Sequence, residues 1–175
     1  MGGTCLNRGC IPSKMLIHSA EVALQIQKTD LQNIKIPSWS CDFQALVKRV
    51  SNVIDKKSDE MMESYENYPN LDLYSCQGKL ISPHLIKVGD KEIQGDQIFL
   101  SVGARPYIPK IPGLPKTPYI TSTEALRLLK KPKHVVILGG GYIAAELGFY
   151  FSALGIQTTI LVNKFKMLSR EDVDV

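Results

Sequence analysis

The chain has 175 residues, enough to bury one core or to form two half-sized pieces. A hydrophobic share of 44% beside 22% charged residues is that of a water-soluble fold, and the net charge of +4 is spread among mixed signs, which argues against a nucleic-acid surface. No run approaches the ~18 apolar residues of a membrane span, and the N-terminus lacks the apolar core of a signal peptide. The expected location is therefore cytoplasmic with no membrane partner, and four cysteines there point to redox chemistry rather than a disulfide framework.

The first fourteen residues carry the strongest chemistry. Cys5 and Cys10 lie five positions apart among glycines and Arg8. In a regular helix such a pair is off a common face and beyond the roughly 7 Å between Cα atoms that a disulfide spans, so bridging requires a distorted backbone. Gly9 permits it. Pro12 has a fixed φ and no N–H, which suits a first helical turn, so regular helix is expected from about Ser13 and Cys10 lies at its N-terminus. The helix dipole, Arg8 and Lys14 would there favour thiolate over thiol. Two other readings stand beside this one. Both cysteines are small buried apolar groups, or they join Cys41 and Cys76 in a zinc site, although the spacings contain no C-x2-C knuckle.

Apolar residues from Met15 to Ile26 fall largely at helical spacing, and Lys28 to Asp30 close that helix. His18 reads as packing or surface. Residues 34 to 40, with Pro37 and Trp39, form a loop, and Asp42 is placed to cap a long helix from Phe43 to about Tyr65. Its buried face would be Leu46, Val47, Val50, Val53, Ile54 and Met61. Short strands follow at 71–74, 78–81, 85–88 and 97–102. Cys41 and Cys76 read as structural. Five prolines between Pro106 and Pro118 then make a stiff linker.

The second strong motif begins at Lys133. A buried parallel-type strand to Leu138 runs into Gly139-Gly-Gly141-Tyr-Ile-Ala144, a G-x-G-x-x-A turn opening a helix from Tyr142 to Leu154, with another strand from Gln157 to Val162. Gly139 allows the tight turn, Gly141 lets a pyrophosphate approach the helix N-terminus, and Ala144 allows close strand–helix packing. An NAD-specific unit ends its second strand in an acid. Here Val162-Asn163-Lys164 stands instead, with Lys166 and Arg170 close behind, which tilts the expectation toward NADPH.

Residues Gly2 to Lys14 closely resemble the redox signature of the flavin-dependent pyridine nucleotide–disulfide oxidoreductases, the family of dihydrolipoamide dehydrogenase and of glutathione, mycothione and mercuric reductases. The resemblance implies that Cys5 exchanges with the disulfide substrate and Cys10 contacts the flavin. Gly2, Gly3, Thr4 and Cys5 match the flank that packs on FAD, Lys14 a lysine at the flavin, and Glu146 its glutamate partner. Gly78 lies where the backbone passes the FAD adenine, and Ser101 and Gly103 match the second flavin motif. Arg8 departs from the family's frequent valine and makes the site more cationic.

The implied fold is α/β: fragments of two Rossmann-like (three-layer ββα) nucleotide-binding domains with a small antiparallel sheet. Residues 1–113 would be part of the FAD domain, 114–132 the linker and 133–175 the start of the NAD(P) domain. The implied activity passes electrons between NAD(P)H, FAD, the cysteine pair and a small disulfide or dithiol, most simply as a dihydrolipoyl dehydrogenase. Alternatives are a mycothione or mercuric reductase-like activity, or a shortened, inactive chain. Complete members are homodimers. They also carry a preceding FAD-binding βαβ unit and a dimerisation domain with a His-Pro and Glu pair, and neither motif occurs in these 175 residues, so no catalytic histidine is assigned.

Overall fold

The computed structural model of the chain describes residues 1–163, 166–169 and 171–172. Helix α1 (Gly3–Arg8) is followed without a loop by α2 (Cys10–Gln27), and the break falls on Gly9, whose φ of −144° and ψ of −114° belong to neither helix. A Cβ on Gly9 would stand 2.9 Å from the Thr4 carbonyl oxygen, so only glycine fits the joint. Regular helix thus starts at Cys10 rather than Ser13, and Cys5 lies on a short helix of its own.

Helix α3 (Phe43–Glu66) begins as expected: the Asp42 carboxylate accepts a hydrogen bond from the Ala45 N–H at 2.9 Å. Its buried stripe is Phe43, Leu46, Val47, Val50 and Ile54, with Met61 packed against the edge. Leu16, Ala20 and Ala23 of α2 meet that stripe. The third wall is α5 (Tyr142–Ala153), which contributes Leu147, Tyr150 and Phe151. Burial of a large apolar side chain is worth ~1.5–3 kcal/mol, so this three-helix core carries most of the stability. The carbonyls at the end of α5 are met by side chains: Gln27 donates to Ala153 O at 2.7 Å and Lys131 to Leu154 O at 2.8 Å.

Strands β1 (Gly78–Ser82), β2 (Leu85–Val88) and β3 (Lys91–Gln94) form an antiparallel meander, in register at Gly78 with Val88 and Ile86 with Ile93. The turn at Gly89-Asp90 leads into β3, a strand the sequence reading did not include. Strands expected at 71–74 and 97–102 do not form. Residues in both segments find no ladder partner among the described residues, and Phe99 and Val102 are 85% and 87% exposed. After the proline-rich stretch, the short α4 (Ser122–Ala125) is held by a capping box between Thr121 and Glu124.

Strands β4 (His134–Leu138) and β5 (Gln157–Leu161) pair in parallel from His134–Gln157 to Leu138–Leu161. Only one face is covered. Val135 and Ile137 pack toward α5, whereas Val136 and Leu138 are about half exposed. The fully buried strand expected from its apolar run is therefore an alternating one. Among the described residues, no helix is long and apolar enough to cross a membrane.

Candidate redox and dinucleotide site

The chain doubles back at its start. Gly2 and Gly3 have φ of 106° and 60°, a region that side chains disfavour, and a Cβ on Gly2 would stand 2.3 Å from Leu6 Cδ2. Leu6 is buried beneath the turn. The Asn7 amide donates to Met1 O at 2.8 Å and to Gly3 O at 3.1 Å, binding the loop to α1. Asn7 was not assigned a part by the sequence reading, and its signal would have been its place between the two cysteines.

Cys5 and Cys10 are both free thiols at the surface. The hydrogen bond from the Cys5 S–H to Cys10 holds the Cys5 proton above the ordinary thiol range. Slight burial and the Cys10 sulfur's own charge act in the same direction, while backbone N–H groups of Cys10 and Ile11 pull the other way. These two N–H groups, at the start of α2, act on Cys5 without overcoming the effect of Cys10. Ser13 Oγ donates to Cys10 O at 3.2 Å and is itself buried.

One turn into α2, the Lys14 ammonium donates to Glu146 Oε1 of α5, as the family resemblance implied. Glu146 lies on the first turns of the helix that the glycine motif opens. There Gly139 has φ of 122° and its N–H donates to Leu161 O at 2.9 Å, tying the turn to the end of β5. A Cβ on Gly140 would meet Val162 Cγ1 at 2.7 Å, a constraint the motif reading had not placed on the middle glycine. Gly141, by contrast, faces open space, and Ala144 is buried. Close helix–strand approach falls on Gly148, whose Cβ would stand 2.8 Å from Ile160 Cδ1.

Asn163 follows β5 and is exposed, as is Lys166; Lys164 and Arg170 lie outside the described residues. Leu168 N donates to Gly140 O, tying that residue to the glycine turn. Lys14 and Glu146 are brought together across α2 and α5, while Gly2, Gly3, Thr4, Cys5 and Cys10 lie at the α1–α2 joint. Gly78, at the start of β1, and Ser101 and Gly103, in exposed irregular chain, are held in neither.

Of the other candidates, Cys41 is half-buried and burial pushes its thiol up, while Cys76 is exposed rather than structural. His18 is exposed, as one of its two expected readings had it, with Glu21 Oε2 3.6 Å from its Nδ1. Among the described residues, no three His, Cys, Asp or Glu side chains gather in a way that would hold a metal.

Residues 1–174 match the Pyridine nucleotide-disulphide oxidoreductase family. The chain belongs to that family. The probable pyridine nucleotide-disulfide oxidoreductase RclA of Escherichia coli K12 is 36% identical over 179 residues, covering 99% of this chain and 37% of RclA. A solved structure of RclA, titled an HOCl-induced flavoprotein disulfide reductase, overlays with a TM-score of 0.82 at 34% identity, covering 100% of this chain and 37% of that one. Mycothione reductase of Mycobacterium tuberculosis H37Rv is 33% identical over 167 residues, covering 92% of this chain and 36% of that enzyme. Dihydrolipoyl dehydrogenase of Chlamydia muridarum is 34% identical over 179 residues, covering 99% of this chain and 38% of it. The chain thus spans between 36% and 38% of the length of these relatives.

Proposed function

We propose that the chain supplies the redox centre and the nicotinamide entry of an FAD-dependent disulfide oxidoreductase. One observation carries the reading: of two exposed, neighbouring thiols, Cys10 stands one helical turn before a lysine that is ion-paired to the helix opened by the glycine motif. Thiol and nucleotide machinery meet on α2 and α5.

The residues fit the cofactors. At Gly3, Gly103 and Gly141 an added Cβ would meet nothing within 4 Å, so bare backbone faces open space where a flavin or pyrophosphate can approach. Gly2, Gly3, Thr4, Cys5, Lys14 and Glu146 would hold FAD near the thiols, with Gly78, Ser101 and Gly103 as further contacts. Gly139, Gly141, Ala144 and Asn163 would hold NAD(P). FAD, when bound, supplies two-electron transfer between nicotinamide and disulfide.

The chain's own chemistry is exchange. Cys5, exposed at the end of the chain's first turn, attacks a small disulfide once its proton has left, and Cys10 then displaces the mixed disulfide. Lys14 presents its charge beside the pair while Glu146 fixes its direction. Asn163 in place of an acid at the end of β5, with Lys166 also exposed there, favours NADPH over NADH. Relatives named for different activities match at 33 to 36% identity, so the reading extends to the class, a small disulfide or dithiol, and a dihydrolipoyl-like substrate is one member of it. A homodimer in the cytoplasm is the matching assembly.

The test is to saturate the purified chain with FAD and follow flavin absorbance through a sizing column. Flavin eluting with a folded species, with a thiolate–flavin band that Cys10→Ser removes, is the expected result. A folded species free of flavin contradicts the reading.

A further inference from the structure

Arg8 is the last residue of α1, one helical turn after Cys5 and two residues before Cys10. The helix is fixed from behind. Leu6 is buried, Asn7 is bonded to Met1 O and Gly3 O, and the Met1 amino group donates to Ser58 Oγ of α3 at 2.6 Å. Thr4, Cys5 and Arg8 are left on the open side, all exposed. Residues three apart on a helix share a face with Cβ atoms roughly 5–6 Å apart, so Arg8 is placed within reach of a substituent on a disulfide held at Cys5. Among the described residues, no carboxylate pairs with Arg8.

A cation beside a thiol can acidify it or bind what it attacks. The causes of the shift at Cys5 are Cys10, slight burial and two backbone N–H groups; the Arg8 guanidinium is not among them. Its planar fork of N–H donors matches a carboxylate in bidentate fashion, a task for which a fixed point charge is less suited.

We propose that Arg8 is a specificity-determining residue that binds a carboxylate carried by the small disulfide attacked at Cys5. The proposal rests on the reading of Cys5 as the interchange thiol. In the step concerned, the Cys5 thiolate attacks one sulfur of the substrate, whose S–S bond breaks as the Cys5–substrate bond forms, and the first thiolate leaves and takes a proton. Cys10 then attacks Cys5 Sγ, releasing the second thiol and leaving the Cys5–Cys10 disulfide. Two electrons and two protons pass from the dithiol to the substrate, with Arg8 holding the charged end throughout.

The experiment uses the reduced chain with Cys41→Ser and Cys76→Ser, leaving Cys5 and Cys10 as its thiols. Second-order rates are measured with dithiobis(nitrobenzoate), which carries two carboxylates, and with uncharged dithiodipyridine. Arg8→Gln should slow the carboxylate probe about five- to tenfold, Arg8→Glu more, and Arg8→Lys should recover part of the rate, while dithiodipyridine changes by less than about twofold. The parent chain needs no folding control: added salt should slow its reaction with the carboxylate probe and leave the neutral one alone. Equal slowing of both probes by Arg8→Gln, or no slowing of either, overturns the proposal while Cys5 remains the interchange thiol. First labelling at Cys10 by both probes overturns the interchange reading and the proposal with it.

Discussion

Lys14 of the redox helix is ion-paired with Glu146 of α5, 132 positions along the chain. The pair joins the helix that carries Cys10 to the helix opened by the glycine motif, so the two signatures read in the sequence form one structural unit. Its energetic weight is small, because the Lys14 side chain is 63% exposed and solvent screens the attraction. Glu146→Gln should therefore cost no more than about 1 kcal/mol in urea unfolding. In a cycle with Lys14→Met, the two losses should be strongly non-additive. A loss of several kcal/mol would mean that Glu146 anchors α5 rather than directing Lys14.

Gly140 is constrained by Val162. Gly140→Ala places its Cβ 2.7 Å from Val162 Cγ1, and the overpacking should cost about 1–3 kcal/mol. Adding Val162→Ala vacates that space and should recover most of it. Thermal or urea unfolding of the single and double variants measures the recovery, and an additive loss would place the strain elsewhere in the turn.

Much of this organisation was legible in the sequence. Asp42 announced α3 because a carboxylate before an apolar stripe is a local signal, and Gly139-Gly-Gly141 announced the β4–α5 turn for the same reason. The Lys14–Glu146 pair became legible only through the family resemblance, since nothing local links residues so far apart. Segments 71–74 and 97–102 have strand-like composition but no ladder partner among the described residues, and β propensity reports fitness for a sheet rather than the presence of one. Gly9 illustrates the remainder. Its need to be glycine comes from the Thr4 carbonyl 2.9 Å away, a contact that exists only once α1 has formed.

Tyr150 is buried in the core, with its ring against Phe43 and Phe151, and its hydroxyl has no hydrogen-bond partner among the described residues. An orphaned buried hydroxyl costs about 1–3 kcal/mol, so Tyr150→Phe should be neutral or stabilising at pH 7. Burial, then the Cys41 charge, raises the Tyr150 pKa far above its usual value. The folded state keeps the proton that the unfolded state loses above about pH 10, so stability should fall as pH rises through that value. Urea midpoints from neutral to alkaline pH should show this extra decline in the parent and not in Tyr150→Phe. Parallel declines would mean that the hydroxyl is reached by water.

The Cys5 proton is held chiefly by Cys10. Replacing that partner, as in Cys10→Ala, should let Cys5 form thiolate at lower pH, since the backbone N–H groups that favour the charged form remain. Ultraviolet thiolate absorbance against pH, with Cys41 and Cys76 changed to serine, measures it. A titration shifted upward would mean that Cys10 stabilises the Cys5 thiolate instead.

Asp55 and Arg127 form a two-bond ion pair, at 2.7 and 3.1 Å, between α3 and the residues after α4. Arg127 holds the Asp55 carboxyl below its ordinary range, so the pair's contribution is present above pH ~4 and is lost as pH falls through the lowered value. With the Asp55 side chain 58% exposed, Asp55→Asn should cost at most about 1 kcal/mol at neutral pH. The difference from the parent should vanish in acid; a difference that persists there would show that the pair is not what Asp55 contributes.

Most direct of all is to ask which cysteines pair when the native chain is oxidised by one equivalent of diamide. Peptide mapping by mass spectrometry after digestion should find the Cys5–Cys10 bond, with Cys41 and Cys76 still as thiols. Mixed pairings that include Cys41 or Cys76, or no intramolecular bond at Cys5 and Cys10, would contradict a redox centre at the α1–α2 joint.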